Sequence, residues 1–171
     1  RNRYKSRRAR SMTWTERSID ELGEVVTGKT PRTSKSEYFD GAYPFITPSD
    51  LNYRHYYCTN TDRTVTEVAR DRYGTKFLPK NSVLFVCIGN TIGKCALAPA
   101  DCLTNQQINS VIPKEDQHPK FVYYLLSHHV PRFKTIGQGG GSATPIINKT
   151  TFSGVKLPVP PYSEQERIAD I

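Results

Sequence analysis

Two glycines and a lysine lie close together in residues 89–95, which read GNTIGKC. This composition is similar to a nucleotide-binding phosphate loop, but that loop has four residues between its glycines and a serine or threonine after its lysine. Here three residues separate the glycines and Cys95 follows the lysine. The segment is also predicted to join two strands, not a strand and a helix. A nucleotide-binding loop is therefore disfavoured, and a tight turn in which glycine adopts a positive φ is the ordinary explanation.

Two further segments are similar to cofactor or catalytic motifs. Residues 159–162 (VPPY) resemble the motif of adenine-amino methyltransferases, which begins with Asn or Asp so that an oxygen can accept a hydrogen bond from the target amine. Val159 has no such oxygen, and no glycine-rich cofactor loop follows an early strand. Residues 137–142 (GQGGGS) are predicted to follow a helix and end in Ser142, unlike a dinucleotide fingerprint. They form either a flexible loop or a loop whose backbone N–H groups approach a phosphate.

The spacing of potential metal ligands and acids favours no catalytic centre. No two of the four cysteines are separated by two residues, which is the usual spacing of a zinc site. Asp20, Glu21 and Glu24 are predicted to be solvated charges on and beside a short helix. We therefore expect no structural metal, no bound cofactor, no disulfide and no nuclease activity. The cysteines are Cys58, Cys87, Cys95 and Cys102.

Charge is unevenly distributed along the 171 residues. The net charge is +8, but the first ten residues hold six of the 24 cations and no acid, so the rest carries 18 cations against 16 acids. Residues 1–12 are predicted to be a disordered basic linker that can touch phosphates regardless of sequence. No apolar run approaches the ~20 residues of a membrane span, and no signal peptide is visible. A cytoplasmic protein is expected, and the initial arginine suggests a piece of a longer chain.

Hydrophobic periodicity and capping residues predict a single compact mixed α/β domain with short helices and long loops. Asp40-Gly41 is predicted to be a hairpin turn, and Ser163 with Glu166 a capping box that begins a C-terminal helix. The predicted helices span residues 19–22, 66–73 and 120–129 and begin again at 163. The predicted strands span residues 24–27, 43–47, 82–88, 94–98, 109–113 and 155–159, with a short one at 145–147.

Six segments, in this order and spacing, resemble one target recognition domain of a type I restriction-modification specificity subunit. They are LGEVVTGKTPRT, YPFITPSDL, LPKNSVLFVCIGNTIGKCALA, TNQQINSVIP, FVYYLLS and GSATPIINKTTFSGVKLPVPPYSEQERIADI. The resemblance extends over about residues 14–171. The resemblance implies a domain over residues 13–162, followed at 163–171 by the start of a spacer helix. A second recognition domain and a complete spacer are absent from the sequence.

The resemblance also implies a function. Such a domain reads one half of a split double-stranded DNA site and is not itself an enzyme. Methyltransferase subunits dock on the spacer helices, and the restriction subunit joins through them. The chain is then either a fragment of a two-domain subunit or a natural half-subunit, for which a homodimer is one assembly. Two alternatives remain open: a domain that docks methyltransferase subunits without reading bases, and a fragment of a DNA methyltransferase or nuclease.

The polar residues of the predicted loops are the candidate DNA contacts. Arginine can bind guanine through two hydrogen bonds and glutamine can pair with adenine, whereas Thr, Lys and Tyr suit phosphates and sugars. The ordinary alternative is a solvated loop, or, for the tyrosines, a place in the core. Only one of two adjacent glutamines in a strand would face DNA. The candidates are Lys29, Thr30, Arg32, Thr33, Lys35, Tyr53, Arg54, Asn90, Thr91, Lys94, Gln106, Gln107, Gln138 and Ser142.

Overall fold

The computed structural model describes residues 13–53 and 55–171. The basic linker predicted at residues 1–12 and the candidate Arg54 therefore lie outside the described residues. The helices are α1 (Ile19–Leu22), α2 (Glu67–Arg72), α3 (Pro119–His128), α4 (Val130–Gln138), α5 (Lys149–Ser153) and α6 (Tyr162–Ala169). The strands are β1 (Thr15–Ser18), β2 (Gly23–Thr27), β3 (Phe39–Ile46), β4 (Arg63–Val65), β5 (Val83–Val86), β6 (Cys95–Leu97), β7 (Leu103–Thr104), β8 (Ile108–Pro113) and β9 (Lys156–Val159).

The central element is a four-stranded antiparallel sheet with the order β2-β8-β5-β6. A three-stranded sheet, β4-β3-β7, lies beside it, with β3 and β7 parallel, and β1 pairs with β9 in a two-stranded sheet. Every residue of β5 is buried, as its apolar sequence VLFV predicts for a strand covered on both faces. The mixed α/β domain predicted from the sequence is thus observed.

Apolar packing on β5 holds the helices to the sheet. The ring of Phe85 lies 4.6 Å from that of Phe133 in α4 and 5.4 Å from that of Phe152 in α5. All three side chains are fully buried. Loss of one such ring costs on the order of 3–5 kcal/mol. This cluster therefore holds α4 and α5 in place against the sheet.

Several local predictions are confirmed. α1 begins after Ser18, whose side chain forms a capping box with Glu21. α2 begins after Thr66, whose hydroxyl accepts a hydrogen bond from the backbone N–H of Ala69. Helix α3 lies within one residue of its expected bounds.

Other local predictions are wrong. Asp40 has the positive φ (62°) expected beside Gly41, but both residues lie inside β3, where the pairing with β4 shifts at a β-bulge. Helix α6 begins at Tyr162 after Pro161 and has no side-chain cap, so the capping box at Ser163 does not form. The loop predicted at residues 137–142 begins two residues later, at Gly139, because Gly137 and Gln138 belong to α4.

Among the described residues, no helix is long and apolar enough to cross a membrane.

Candidate nucleic-acid interface

The candidate residues gather at one edge of the four-stranded sheet. β2 and β5 end there, at Thr27 and Val86, and their antiparallel neighbours β8 and β6 begin there. β3 and β7 run parallel, and the backbone N–H of Asn105 donates to the carbonyl of Ile46 at their ends. The end of β7 lies beside the end of β2, because the Lys29 N–H donates to the carbonyl of Thr104. We call this surface the loop edge and define it by residues 28–35, 47–51, 87–94, 105–107 and 138–147, together with Lys134, which lies beside residues 89, 90 and 138.

Hydrogen bonds join the loop at residues 28–35 to the end of β7 and to the turn at residues 105–107. The backbone N–H of Lys29 donates to the carbonyl of Thr104 at 2.8 Å. The Thr30 hydroxyl donates to the side-chain oxygen of Gln106, also at 2.8 Å. Gly28 allows this approach, because a methyl group there would collide with the carbonyl oxygen of Asn105. The candidates of these two loops thus form one continuous surface.

Residues 28–35, which we call the basic loop, carry side chains that face solvent. Lys29, Arg32, Thr33 and Lys35 are all exposed, and none has a side-chain hydrogen bond or ion pair with another described residue. A local turn shapes the loop, because the Lys35 backbone N–H donates to the carbonyl of Arg32 at 3.0 Å. Three cationic side chains at one edge make a surface that attracts polyanions.

Gln106 and Gln107 lie in a turn, not in the strand expected from the sequence. The side chain of Asn105 makes the turn: its oxygen accepts from the Gln107 backbone N–H at 3.1 Å, and its amide donates to the Gln107 side chain at 3.0 Å. The strand-alternation argument therefore does not apply. Gln106 is exposed, while the Gln107 side chain is half-buried and engaged with Asn105.

The three candidate residues in the turn between β5 and β6 differ in exposure. Lys94 is half-buried, and its ammonium group donates to the carbonyl of Pro48 at 3.1 Å, which ties this turn to residues 47–51. Asn90 is exposed and Thr91 is half-buried. Gly89 and Gly93 adopt φ of 82° and 99°, as expected for a glycine turn.

Helix α4 brings Gln138 to the same turn. Asn90 and Gln138 line one small cleft together with Lys134 and Pro145. The backbone N–H of Gly89 donates to the carbonyl of Pro145 at 2.9 Å, which closes the cleft from below. Ser142 is exposed in the adjoining loop, where its hydroxyl accepts from the Thr144 N–H at 3.3 Å.

The aromatic segment after residue 51 divides between surface and core. Tyr53 is 59% exposed, consistent with a contact residue. The ring of Tyr56 packs at an angle against those of Tyr57 and Tyr123. The Lys120 ammonium lies 4.9 Å from the centre of the Tyr56 ring. Tyr56 and Tyr57 are therefore engaged in packing within the protein.

The domain model described as "Type I restriction modification DNA specificity domain" matches residues 12–171. The chain belongs to this family. It is 34% identical over 164 residues to the type I restriction enzyme MjaIX specificity subunit of Methanocaldococcus jannaschii, with 92% of this chain and 37% of that subunit covered. It is 29% identical over 163 residues to the HindI specificity subunit of Haemophilus influenzae, covering 92% of this chain and 35% of that subunit.

Solved structures support the fold of this family member. A chain from a structure of a type I R-M system superposes with a TM-score of 0.70 at 18% identity, over 92% of this chain and 36% of the other. The HsdS subunit of Thermoanaerobacter tengcongensis gives a TM-score of 0.66 at 17% identity, over 92% and 36%. The chain therefore spans little more than a third of the length of these relatives.

The buried thiols of this specificity domain are poor nucleophiles. Burial raises the pKa of Cys58 to about 11 and those of Cys87, Cys95 and Cys102 to about 12 each. Thiols with such pKa values carry almost no thiolate at neutral pH. In residues 13–53 and 55–171, no group of three or more His, Cys, Asp or Glu side chains is placed to hold a metal.

Sequence reasoning missed Lys134, because α4 was not predicted. Two signals pointed to this helix. Pro131 suits the first turn of a helix, and Phe133 recurs as the buried face with Gly137 four residues later. Lys134 and Gln138 share the same spacing, so they lie on one face of α4 and both reach the cleft.

Proposed function

We propose that this chain binds double-stranded DNA sequence-specifically and reads one half of a bipartite site for a type I restriction-modification enzyme. The observation that supports the proposal most is the loop edge, where one loop with three exposed cations lies beside exposed amides and hydroxyls of other loops. Side chains of these types supply both phosphate contacts and hydrogen bonds to base edges. Membership in the DNA specificity family supports the same proposal.

The basic loop is the proposed base-reading element. Arg32, with Thr30 and Thr33 beside it, is free to enter the major groove and bind guanine through two hydrogen bonds. Lys29, Lys35 and Tyr53 are the proposed sugar-phosphate contacts. Lys94 is proposed to act indirectly, by holding the turn that carries Asn90 and Thr91.

Selection from a random pool tests the proposal. The chain is incubated with duplexes that contain a randomised segment, and bound duplexes are amplified and sequenced over several rounds. We expect enrichment of one short sequence, and we expect Arg32→Ala to reduce that enrichment while Lys80→Ala, at the other end of the sheet, leaves it intact. Binding without enrichment would contradict sequence-specific reading, and no binding would contradict DNA recognition by this chain.

We also propose that the chain works beside catalytic subunits in the cytoplasm and performs no chemistry itself. Val159 occupies the position that a methyltransferase motif needs for Asn or Asp. Incubation of the pure chain with S-adenosylmethionine, Mg²⁺ and its selected duplex should give neither methylated nor cleaved DNA. Turnover that copurifies with the chain through successive columns would contradict this assignment.

Methyltransferase docking is proposed for the side that carries α6. Trp14 is 45% exposed there, and with Phe121, Tyr124 and Ile168 it lines an apolar groove between α3 and α6. Exposed apolar surface of this kind suits a protein partner more than DNA. Co-purification of the methyltransferase subunit with the chain should be lost in Trp14→Glu and kept in Arg32→Ala. Loss in Arg32→Ala as well would place docking at the loop edge and favour a docking domain that reads no bases.

A further inference from the structure

Three polar side chains without a protein partner converge on a cleft at the loop edge. Asn90 comes from the turn between β5 and β6, while Lys134 and Gln138 come from α4. Among the described residues, none of the three side chains makes a hydrogen bond or ion pair. Of the described residues that line the cleft, Lys134 is the only charged one, so its ammonium group is not neutralised locally.

The cleft is held rigidly by close packing beneath it. A methyl group at Gly137 would lie 2.7 Å from the end of the Ile92 side chain, and one at Gly93 would collide with Val130. Both glycines therefore let α4 approach the turn more closely than any other residue would. Phe133 anchors the same helix in the core. The backbone positions of Lys134 and Gln138 relative to Asn90 are thus fixed before any ligand binds.

The chemistry of this cleft matches an anion with several acceptor oxygens. An ammonium group supplies charge, two side-chain amides supply N–H donors, and no carboxylate among the described lining residues competes. The cleft presents no planar, two-pronged donor of the kind that selects guanine, since its cation is a lysine and not an arginine. The two amides alone would also suit an adenine edge. The uncompensated ammonium group beside them favours an anion, so a backbone phosphate of the duplex uses all three donors.

We propose that Asn90, Lys134 and Gln138 form a phosphate site that fixes the register of the domain on DNA without reading bases. The inference rests on the proposed function and deepens it, because it assigns separate tasks to two parts of the loop edge. The basic loop reads bases, and the α4 cleft clamps one phosphodiester. Lys134 contributes the charge, whereas Asn90 and Gln138 contribute neutral hydrogen bonds.

Charge and hydrogen bonding predict different effects of salt. Each phosphate neutralised by a cation adds about −0.9 to the slope of log affinity against log salt concentration. Lys134→Ala should therefore weaken binding roughly 3- to 10-fold on selected and scrambled duplexes alike and flatten the slope by about 0.9. Gln138→Ala should weaken binding on both duplexes and leave the slope unchanged. Lys134→Arg should restore the slope.

The measurement is fluorescence anisotropy of labelled duplexes at several salt concentrations, with thermal unfolding of every variant to confirm folding. Lys80→Ala is the matched control, because Lys80 is an exposed lysine at the opposite end of the same sheet. A duplex with one uncharged methylphosphonate at each backbone position in turn identifies the phosphate. At the contacted position, neutralisation should weaken binding of the wild type more than binding of Lys134→Ala, which has already lost the charge interaction.

The outcomes separate the inference from the proposed function. If Lys134→Ala weakens only the selected duplex, Lys134 contacts a base and the phosphate site is overturned. If Lys134→Ala behaves as Lys80→Ala while Arg32→Ala loses specificity, the site is overturned and DNA reading by the basic loop stands. If the wild-type chain binds no duplex, both are overturned.

Discussion

The two ends of the four-stranded sheet differ in the burial and hydrogen bonding of their polar side chains. At the loop edge, Arg32, Asn90 and Lys134 point to solvent, and none has a side-chain partner among the described residues. At the other end, where α6 packs, Gln165 is 1% exposed and all its hydrogen-bonding groups are used. Its side-chain oxygen accepts from the backbone N–H of His118 at 2.9 Å. Its amide donates to the carbonyl of Pro160 and to the side chain of Gln117, each at 3.1 Å.

This difference separates what stabilises the domain from what is left for a ligand. A buried polar group destabilises the fold unless a hydrogen bond satisfies it, because an unpaired one costs about 1–3 kcal/mol. An exposed group pays no such penalty and remains free to exchange water for DNA. Hydrogen bonds within the protein thus hold the polar groups of the α6 end, whereas exposed polar groups of the loop edge stay available to a ligand.

The largest expected effect concerns the base of the loop edge. Cys87 and Cys95 flank its central turn but are buried, and their pKa values are raised to about 12. Modification by a disulfide reagent at pH 8 should be at least about 1,000-fold slower in the native chain than in guanidinium, because reaction requires opening. Because burial favours the protonated thiols, the free energy of unfolding should fall as pH rises above the ordinary thiol pKa of 9.0.

Rapid native labelling of either thiol, located by mass spectrometry, would break the comparison. It would mean that the turn itself opens, so that the loop edge is loosely packed and not only solvent-facing.

Removal of the buried amide should be the next largest effect. Gln165→Ala leaves Gln117 and the His118 N–H without their partner, and we expect a loss of about 2–4 kcal/mol in the free energy of unfolding. Glu166→Ala, one residue along on the exposed side of α6, should change it by less than about 0.5 kcal/mol. Urea unfolding measures both. Equal effects of the two substitutions would show that α6 contributes no buried network.

Within the loop edge, the contact at Gly28 should matter more than its exposed side chains. Gly28→Ala forces residues 28–35 away from Asn105, and we expect a loss of about 1–3 kcal/mol in stability together with weaker binding to the selected duplex. Gly140→Ala is the control, since nothing lies within 4 Å of a methyl group there. A Gly28→Ala variant with unchanged stability and affinity would contradict the close joining of the two loops.

The smallest effect is expected at the side-chain hydrogen bond between these loops. Thr30→Val removes the donor to Gln106, which is partly exposed, so the free energy of unfolding should fall by only about 0.5–1 kcal/mol. Thr33→Val, which loses no hydrogen bond to a described residue, should cause no measurable change. Thermal unfolding resolves the difference, and a larger loss for Thr33→Val would contradict the observed pairing.

Most of the correct predictions about the fold come from local sequence patterns, namely capping residues and apolar runs. Helix α1 spans residues 19–22 as expected, and the apolar run of β5 identifies the central strand. Strands β4 and β7 were missed because runs of three and two residues show no periodicity. Helix α4 was missed because Gly137 reads as part of a glycine loop, whereas its role is a tertiary contact with Ile92.

The candidate site was predictable by residue type but not by arrangement. The exposure of Lys29 and of residues 32–35 follows from their polar sequence. That Lys94 is engaged with Pro48, and that Lys134 shares a cleft with Asn90, depends on contacts between distant segments. No periodicity encodes such contacts, so only the folded chain brings them together.

The central claim is that the loop edge reads bases through Arg32, and one measurement tests it most directly. Affinities of wild type, Arg32→Ala and Arg167→Ala are compared on the selected duplex and on a scrambled one by fluorescence anisotropy at several salt concentrations. Arg32→Ala should lose about 1–3 kcal/mol, or roughly 5- to 150-fold, on the selected duplex and little on the scrambled one. Arg167→Ala, an exposed arginine on α6, should match wild type. Equal losses of Arg32→Ala on both duplexes would make Arg32 a phosphate contact and contradict the claim.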